Sequence, residues 1–344
     1  MKKSIKLAAV AAFIATPALA ENSITNLENP LYIPSAGEVY SKTAVGLMSR
    51  LVDNTTPMVQ QGAANTWQFP IWRLYEDLGV GITDRLSVRG SVGWTQNNDG
   101  NRGGLSEGRL GVNYRVFDGS RTAGINWDVY ADAFLGGLDP MRATLGVQKV
   151  MTSMPPIAFS YDNYSNGQYG VWVGTQVGKT WDKFTGAAYG EVQRTFGNDN
   201  NRISIDPTLN AMLAGGMLPG HFYVDTASTW AFGVGVKGNY QFNDKWSMGG
   251  SLTFRRYANE KLDAIHITAP APVLVGLAPV MNGFLGNMED GWDDWTLGLS
   301  GAYQFTRTVQ GALYGDYTVS HANVNSQDGS QRKFEFGARL NLRF

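Results

Sequence analysis

The chain has three histidines, His221, His266 and His321, and no cysteine. The missing cysteine excludes disulfides, thiol catalysis and a lipid-anchored N-terminus. A histidine-based hydrolase needs a nucleophile and an orienting polar group within hydrogen-bond reach. Ser320 adjoins His321, but neighbouring residues of a strand point to opposite faces, so the two cannot pair directly. His221 and His266 fall in loop inserts beside Gly220, Phe222, Ile265 and Ile267. No catalytic residue is assigned, and the chain is expected not to be an enzyme. Oxygen-rich stretches occur at NNDGN (97–101), GNDNN (197–201) and EDGWDD (289–294). Calcium wants six to eight oxygens from a shaped loop, and none of these spells an EF-hand. Polar tips are what solvated hairpins carry anyway. No metal and no cofactor are expected.

The charged residues are the richer signal. The bases Arg73, Arg89, Arg109, Arg115, Lys237, Arg255, Arg339 and Arg343 and the acids Asp77, Glu107, Asp128, Asp132, Glu191, Asp316 and Glu335 all alternate with apolar neighbours. In RKFEFGARLNLRF, Phe334, Phe336, Ala338, Leu340, Leu342 and Phe344 share one face, with Glu335, Arg339, Asn341 and Arg343 on the other. A period of two is a strand. It recurs on nearly every strand, always opposite a polar face. A barrel in lipid makes that pattern by turning apolar side chains outward and polar ones into its lumen. Residues 73, 89, 109, 115, 128, 132, 191, 237, 255, 316, 335 and 339 are thus expected to line a pore. Neither sign dominates, so the pore is read either as ion-paired or as contacting solute. The bases gather on the first and last strands, which suggests a field across the lumen. Glu76 falls on the apolar face and suggests a bulge.

Positioning these groups takes twelve strands, near 37–50, 67–81, 86–96, 105–116, 123–136, 168–181, 184–196, 229–242, 245–257, 292–305, 308–321 and 332–344. Short turns alternate with long loops near 51–66, 96–104, 137–167, 197–228, 258–290 and 322–331. Barrels of this kind have short periplasmic turns and longer extracellular loops. Three loops have near-equal length and similar starts, LDPMRATLG at 138, IDPTLNAML at 205 and LDAIHITAP at 262. Their apolar runs, 212–222 and 269–286, must be buried as a cap, a constriction or a contact with lipid or protein. In the first, Asp139 and Pro140 read as the cap and first residue of a short helix. The alternative pairs 141–150 with Ile157–Tyr164 and gives fourteen strands. Trp67, Trp72, Trp94, Trp181, Trp230, Trp246, Trp292 and Trp295 lie near strand ends, where interface girdles belong.

Lys2 and Lys3, the apolar run Leu7–Ile14 and Ala18-Leu19-Ala20 read as a cleaved signal peptide over 1–20. Residues 21–36 then form a periplasmic segment, too short for a large plug, and 37–344 the barrel. Losing 1–20 takes the formal charge from −1 to −4, with no basic footprint for nucleic acid. The 42 glycines, 12% aromatic and 17% charged residues depart from soluble averages in the direction of a membrane barrel.

Together the leader, the alternation, the turn asymmetry and terminal Phe344 make the chain similar to Gram-negative outer-membrane β-barrel proteins, at the level of architecture and over essentially the whole mature sequence. Twelve-stranded members include monomeric porins for acidic oligosaccharides, a nucleoside channel, a phospholipase and autotransporter translocators; no subfamily motif is present. The resemblance implies an outer-membrane location, lipid contact, and recognition of the closing strand by the barrel-assembly machinery. The expectation is a passive channel for small solutes, its mouth narrowed by apolar loops. A structural or surface-interaction barrel with a filled lumen is the alternative, and a hydrolase a weaker one. Solute and oligomeric state are not encoded legibly.

Overall fold

A computed structural model describes residues 26–53, 71–96, 103–119, 124–137, 142–147, 157–161, 167–214, 221–226, 228–258, 262–266, 291–324 and 327–344. Seventeen strands and one helix follow in order: β1 Val39–Asp53, β2 Ile71–Gly81, β3 Leu86–Gln96, β4 Gly103–Phe117, β5 Ile125–Leu135, β6 Arg142–Val147, β7 Ile157–Tyr161, β8 Tyr169–Trp181, β9 Phe184–Thr195, β10 Asn198–Ile205, α1 Pro207–Ala214, β11 His221–Thr226, β12 Thr229–Gln241, β13 Trp246–Tyr257, β14 Leu262–His266, β15 Trp292–Gln304, β16 Val309–Val324 and β17 Gln327–Arg343. Twelve of them close a barrel in the order β1-β17-β16-β15-β13-β12-β9-β8-β5-β4-β3-β2.

The barrel is inside-out. Leu313 is 70% exposed and Leu110 65%, while Asp128 is 1% exposed. Only lipid satisfies an outer face of that kind. No helix among the described residues is long and apolar enough to cross a membrane; the crossing is by strands. Aromatic residues sit at both rims. Trp181 stacks on Phe184, and Tyr303 packs between Trp246 and Phe305 at the short-turn end. Trp72, Trp94, Trp230 and Trp295 are exposed near the long-loop end. Inward glycines make room for bulky neighbours: the Tyr130 ring lies over Gly174, and the Asp132 carboxylate over Gly111.

Several expectations change. Fourteen barrel strands are not formed. β6 and β7 do pair, but in a separate five-stranded sheet, β14-β11-β10-β6-β7, assembled from the three long loops. All its pairings are antiparallel except β6 with β10. β10 and β11 continue the β9–β12 ribbon past its last pair, Thr229 with Thr195. The loops thus extend the barrel wall and interlock. Residues 142–147, expected to follow a helix start, are strand; pairing with β10 on one side and β7 on the other outweighs local helix propensity. Residues 139–140 lie outside the described residues. The Asp-Pro helix start is realised at 206–207 instead, where the Asp206 carboxylate accepts from the Thr208 N–H at 2.8 Å and Pro207 opens α1. The expected long loop 322–331 is mostly hairpin: pairing of β16 with β17 runs on to Val324 and Gln327. At Glu76 the register is unbroken, so no bulge forms. Ser41 and Thr43 instead donate to its two oxygens, at 2.6 and 2.5 Å. The irregularities fall at Gly93/Trp94 and Arg115/Phe117. Residues 267–290, with the whole apolar run 269–286, lie outside the described residues.

Candidate functional site: a strapped polar lumen

The short-turn end of the lumen is crossed by residues 26–36. Asn26 donates to Asn239 Oδ1 at 2.7 Å on β12 and accepts from Gln310 Nε2 at 2.9 Å on β16. Glu28 accepts twice from Arg339 and once from Asn341 on β17, all at 2.9 Å. Lys42 on β1 donates to the Leu27 carbonyl, Gln176 on β8 to that of Pro30, and Arg115 on β4 to that of Leu31. Leu27 and Leu31 are buried. Tyr32 donates to Glu38, whose other oxygen takes the Ser35 N–H and which pairs with Arg343. Anchors on β1, β4, β8, β12, β16 and β17 distribute the hold around the whole circumference, so the segment is a strap across the floor.

The amides are oriented by Glu28. An ionised carboxylate only accepts, so Asn341 must present its NH₂ group to Glu28. The same NH₂ donates to Gln310 Oε1, which turns Gln310 Nε2 toward Asn26 and Asn26 Nδ2 toward Asn239. Burial pushes the Glu28 carboxyl up, but the Arg339 and Lys42 charges outweigh it and hold it below the usual value. Burial, with the Glu38 charge, raises the Tyr32 phenol far above its ordinary range. Beside the strap a polar crevice of about 260 Å³ is lined by Asn29, Asn239, Gln241, Thr185 and the turns at 182–183 and 243–244.

Above the floor the charged side chains pair. Arg115 meets Asp128 at 2.8 Å and Arg89 meets Asp132 at 2.5 Å. Arg255 meets Glu191 at 2.5 Å, and Tyr130 donates to the same carboxylate at 3.2 Å. Arg73 bridges Glu335 at 2.8 Å and Glu107 at 3.4 Å, and Arg109 reaches Glu107 at 3.5 Å. Tyr314 donates to Glu335. Lys237 lies over the Tyr189 ring, 5.4 Å from its centroid, and Asp316 sits at the inner face by Gly298. Trp172 projects between Arg109 and Arg255, whose guanidinium carbons are 4.6 and 4.8 Å from its ring centroid. Each acid lies within two strands of its arginine in the barrel order. That arrangement is mutual pairing rather than opposed walls of charge.

The histidines lie on three different strands. His321 is exposed on β16, paired in register with Asp293 and Ser330. His221 packs edge-on against Tyr223, and His266 lies across from Tyr223 on β14. Among the described residues no cluster of His, Asp and Glu is arranged to hold a metal. The stretch 198–201 is the start of β10, with Asn201 buried. The strap is what sequence reasoning missed. Its one signal was apolar residues, Leu27, Leu31, Tyr32 and Ile33, in a segment read as periplasmic.

No protein-family model and no curated protein matches the chain. Solved structures do. An outer-membrane channel from Pseudomonas putida F1 superposes with a TM-score of 0.50 at 11% identity, over 93% of this chain and 99% of that one. The translocator domain of the autotransporter NalP from Neisseria meningitidis gives 0.42 at 10% identity, over 91% and 90%. A Pseudomonas aeruginosa FadL homologue gives 0.40 at 12%, over 89% and 90%. With its closed twelve-stranded wall and inverted polarity, this chain has the fold of the Gram-negative outer-membrane β-barrel proteins. It resides in the outer membrane.

Proposed function

We propose that the protein is a passive channel for small solutes, closed or narrowed at its periplasmic end by the strap. One observation carries this reading. The obstruction is anchored chiefly by hydrogen bonds and ion pairs, with Leu27 and Leu31 its buried apolar residues, in a lumen lined by polar and charged side chains. A stopper of that chemistry can leave, whereas a packed apolar core cannot. No hydrolytic constellation enters the proposal. The closing strand, whose terminal Phe344 exchanges backbone hydrogen bonds with Val39 at 2.8 and 3.0 Å, is the part offered to the assembly machinery. The ion-paired lumen favours a second reading, a structural barrel whose three-loop sheet is the working surface. Planar-bilayer recording separates them. The channel reading expects conductance steps that grow when residues 26–35 are deleted from the mature chain. Silence from both the full chain and a correctly folded strapless variant leaves the structural reading standing.

A further inference from the structure

The lumen charges balance in number, but not in what they present to a solute. Among the described residues, the arginine is the more exposed partner of every lumen pair. Arg89 is 37% exposed over an Asp132 at 2%, and Arg255 is 25% over a Glu191 at 6%. Arg109 is 34% over a Glu107 at 23%, and Arg339 is 27% over a Glu28 at 7%. The cause is side-chain length. A short carboxylate on the wall is covered by the guanidinium that reaches across two strands to it, as Asp132 is, seated in the space left by Gly111. The remaining inward-facing acids, Asp77, Asp294 and Asp316, are answered in number by Lys42, Lys237 and Lys333. The solute therefore meets guanidinium edges, while the compensating negative charge is withdrawn toward the backbone.

We propose that the lumen is anion-selective and that its solutes are small organic anions bearing a carboxylate, received at Arg109 beside Trp172. Arg109 is the position with the freest fork. Its carboxylate contact is the longest of the lumen pairs and is shared with Arg73. Its planar fork matches a carboxylate in two parallel hydrogen bonds. Stacking on Trp172, with Arg255 on the same ring, holds that fork in place. Glu107 at one edge keeps the hold weak, which favours release over trapping. This inference rests on the channel reading for its biological sense, but its test does not.

The test is quenching of Trp172 fluorescence, taken as wild type minus Trp172→Phe, by iodide and by caesium in micelles at low salt. A lumen potential of one kT enriches a monovalent anion over a monovalent cation by about sevenfold. Relative to the same two quenchers acting on free N-acetyltryptophanamide, iodide is expected to gain several-fold over caesium on this component. Acetate should compete with iodide better than chloride does, and Arg109→Gln should remove most of the difference. An iodide-to-caesium ratio equal to or below that of the free indole overturns the proposal whether or not the protein conducts. In bilayers under a KCl gradient, a reversal potential on the chloride side agrees with it. One on the potassium side overturns the selectivity while leaving the channel reading intact.

Discussion

Replacing Glu28 with glutamine keeps the shape of the strap's main anchor and removes its charge. Two contacts to Arg339 and one to Asn341, all at 2.9 Å, depend on that carboxylate. Breaking a buried ion pair by removing one partner costs about 3–5 kcal/mol. Arg339 keeps some access to water in the lumen, so the low end, about 3 kcal/mol, applies. At about 1.4 kcal/mol per decade, the undocked-to-docked ratio of the strap rises roughly a hundredfold. The chain has no cysteine, so a thiol placed at buried Leu27 is a unique reporter. Its reaction with a polar maleimide requires undocking. The Glu28→Gln background should accelerate that reaction by about two decades at constant pH, and lengthen the open dwell in bilayers. An acceleration under about threefold would refute the assignment of Glu28 as the anchor.

The same carboxylate predicts a pH dependence. Its docked pKa lies below the ordinary 4.5, so docking is fully favoured above that value and weakens as pH falls through the docked one. Wild-type conductance should therefore rise under acid while Glu28→Gln stays flat; a rise of equal size in both sinks the link. Asp128→Asn strands the guanidinium of Arg115 against the strap and should cost about 3–5 kcal/mol in urea unfolding from lipid. Gly174→Val forces the Tyr130 ring off its seat and away from Glu191, expected as about 1–3 kcal/mol in the same assay. Glu76→Leu should stabilise the barrel by about 1 kcal/mol, because a carboxylate on the lipid face is costly even with two hydroxyl donors. Destabilisation by that change would mean Glu76 serves some other contact.

The barrel strands were legible because lipid enforces a strict period of two, and each strand carries its own evidence. RKFEFGARLNLRF announces β17 with no knowledge of its neighbours. The loop sheet was not legible, because β6 is a strand only through β10 and β7, and neither contact is encoded near residue 142. Residues 138–146 and 205–213 look alike, yet one contains a strand and the other a helix. Which charges face inward could be read from alternation. Which of each pair stands proud could not, since it depends on reach across two strands. Asn26 and Glu28 were unreadable for the same reason: their partners lie more than two hundred residues away.

Counting the twelve barrel strands alone, every neighbouring pair is consecutive along the chain except β1 and β17. That junction has backbone hydrogen bonds but no turn to tie its two sides. The strap runs covalently into β1 while Glu28 grips Arg339 and Asn341, and Glu38 grips Arg343. It acts as the missing hairpin, a non-covalent turn between the two ends of the polypeptide. Its full set of anchors exists only once the cylinder is closed, and a barrel whose final strand is misregistered by one residue would offer Glu28 outward-facing leucine and alanine in place of Arg339 and Asn341.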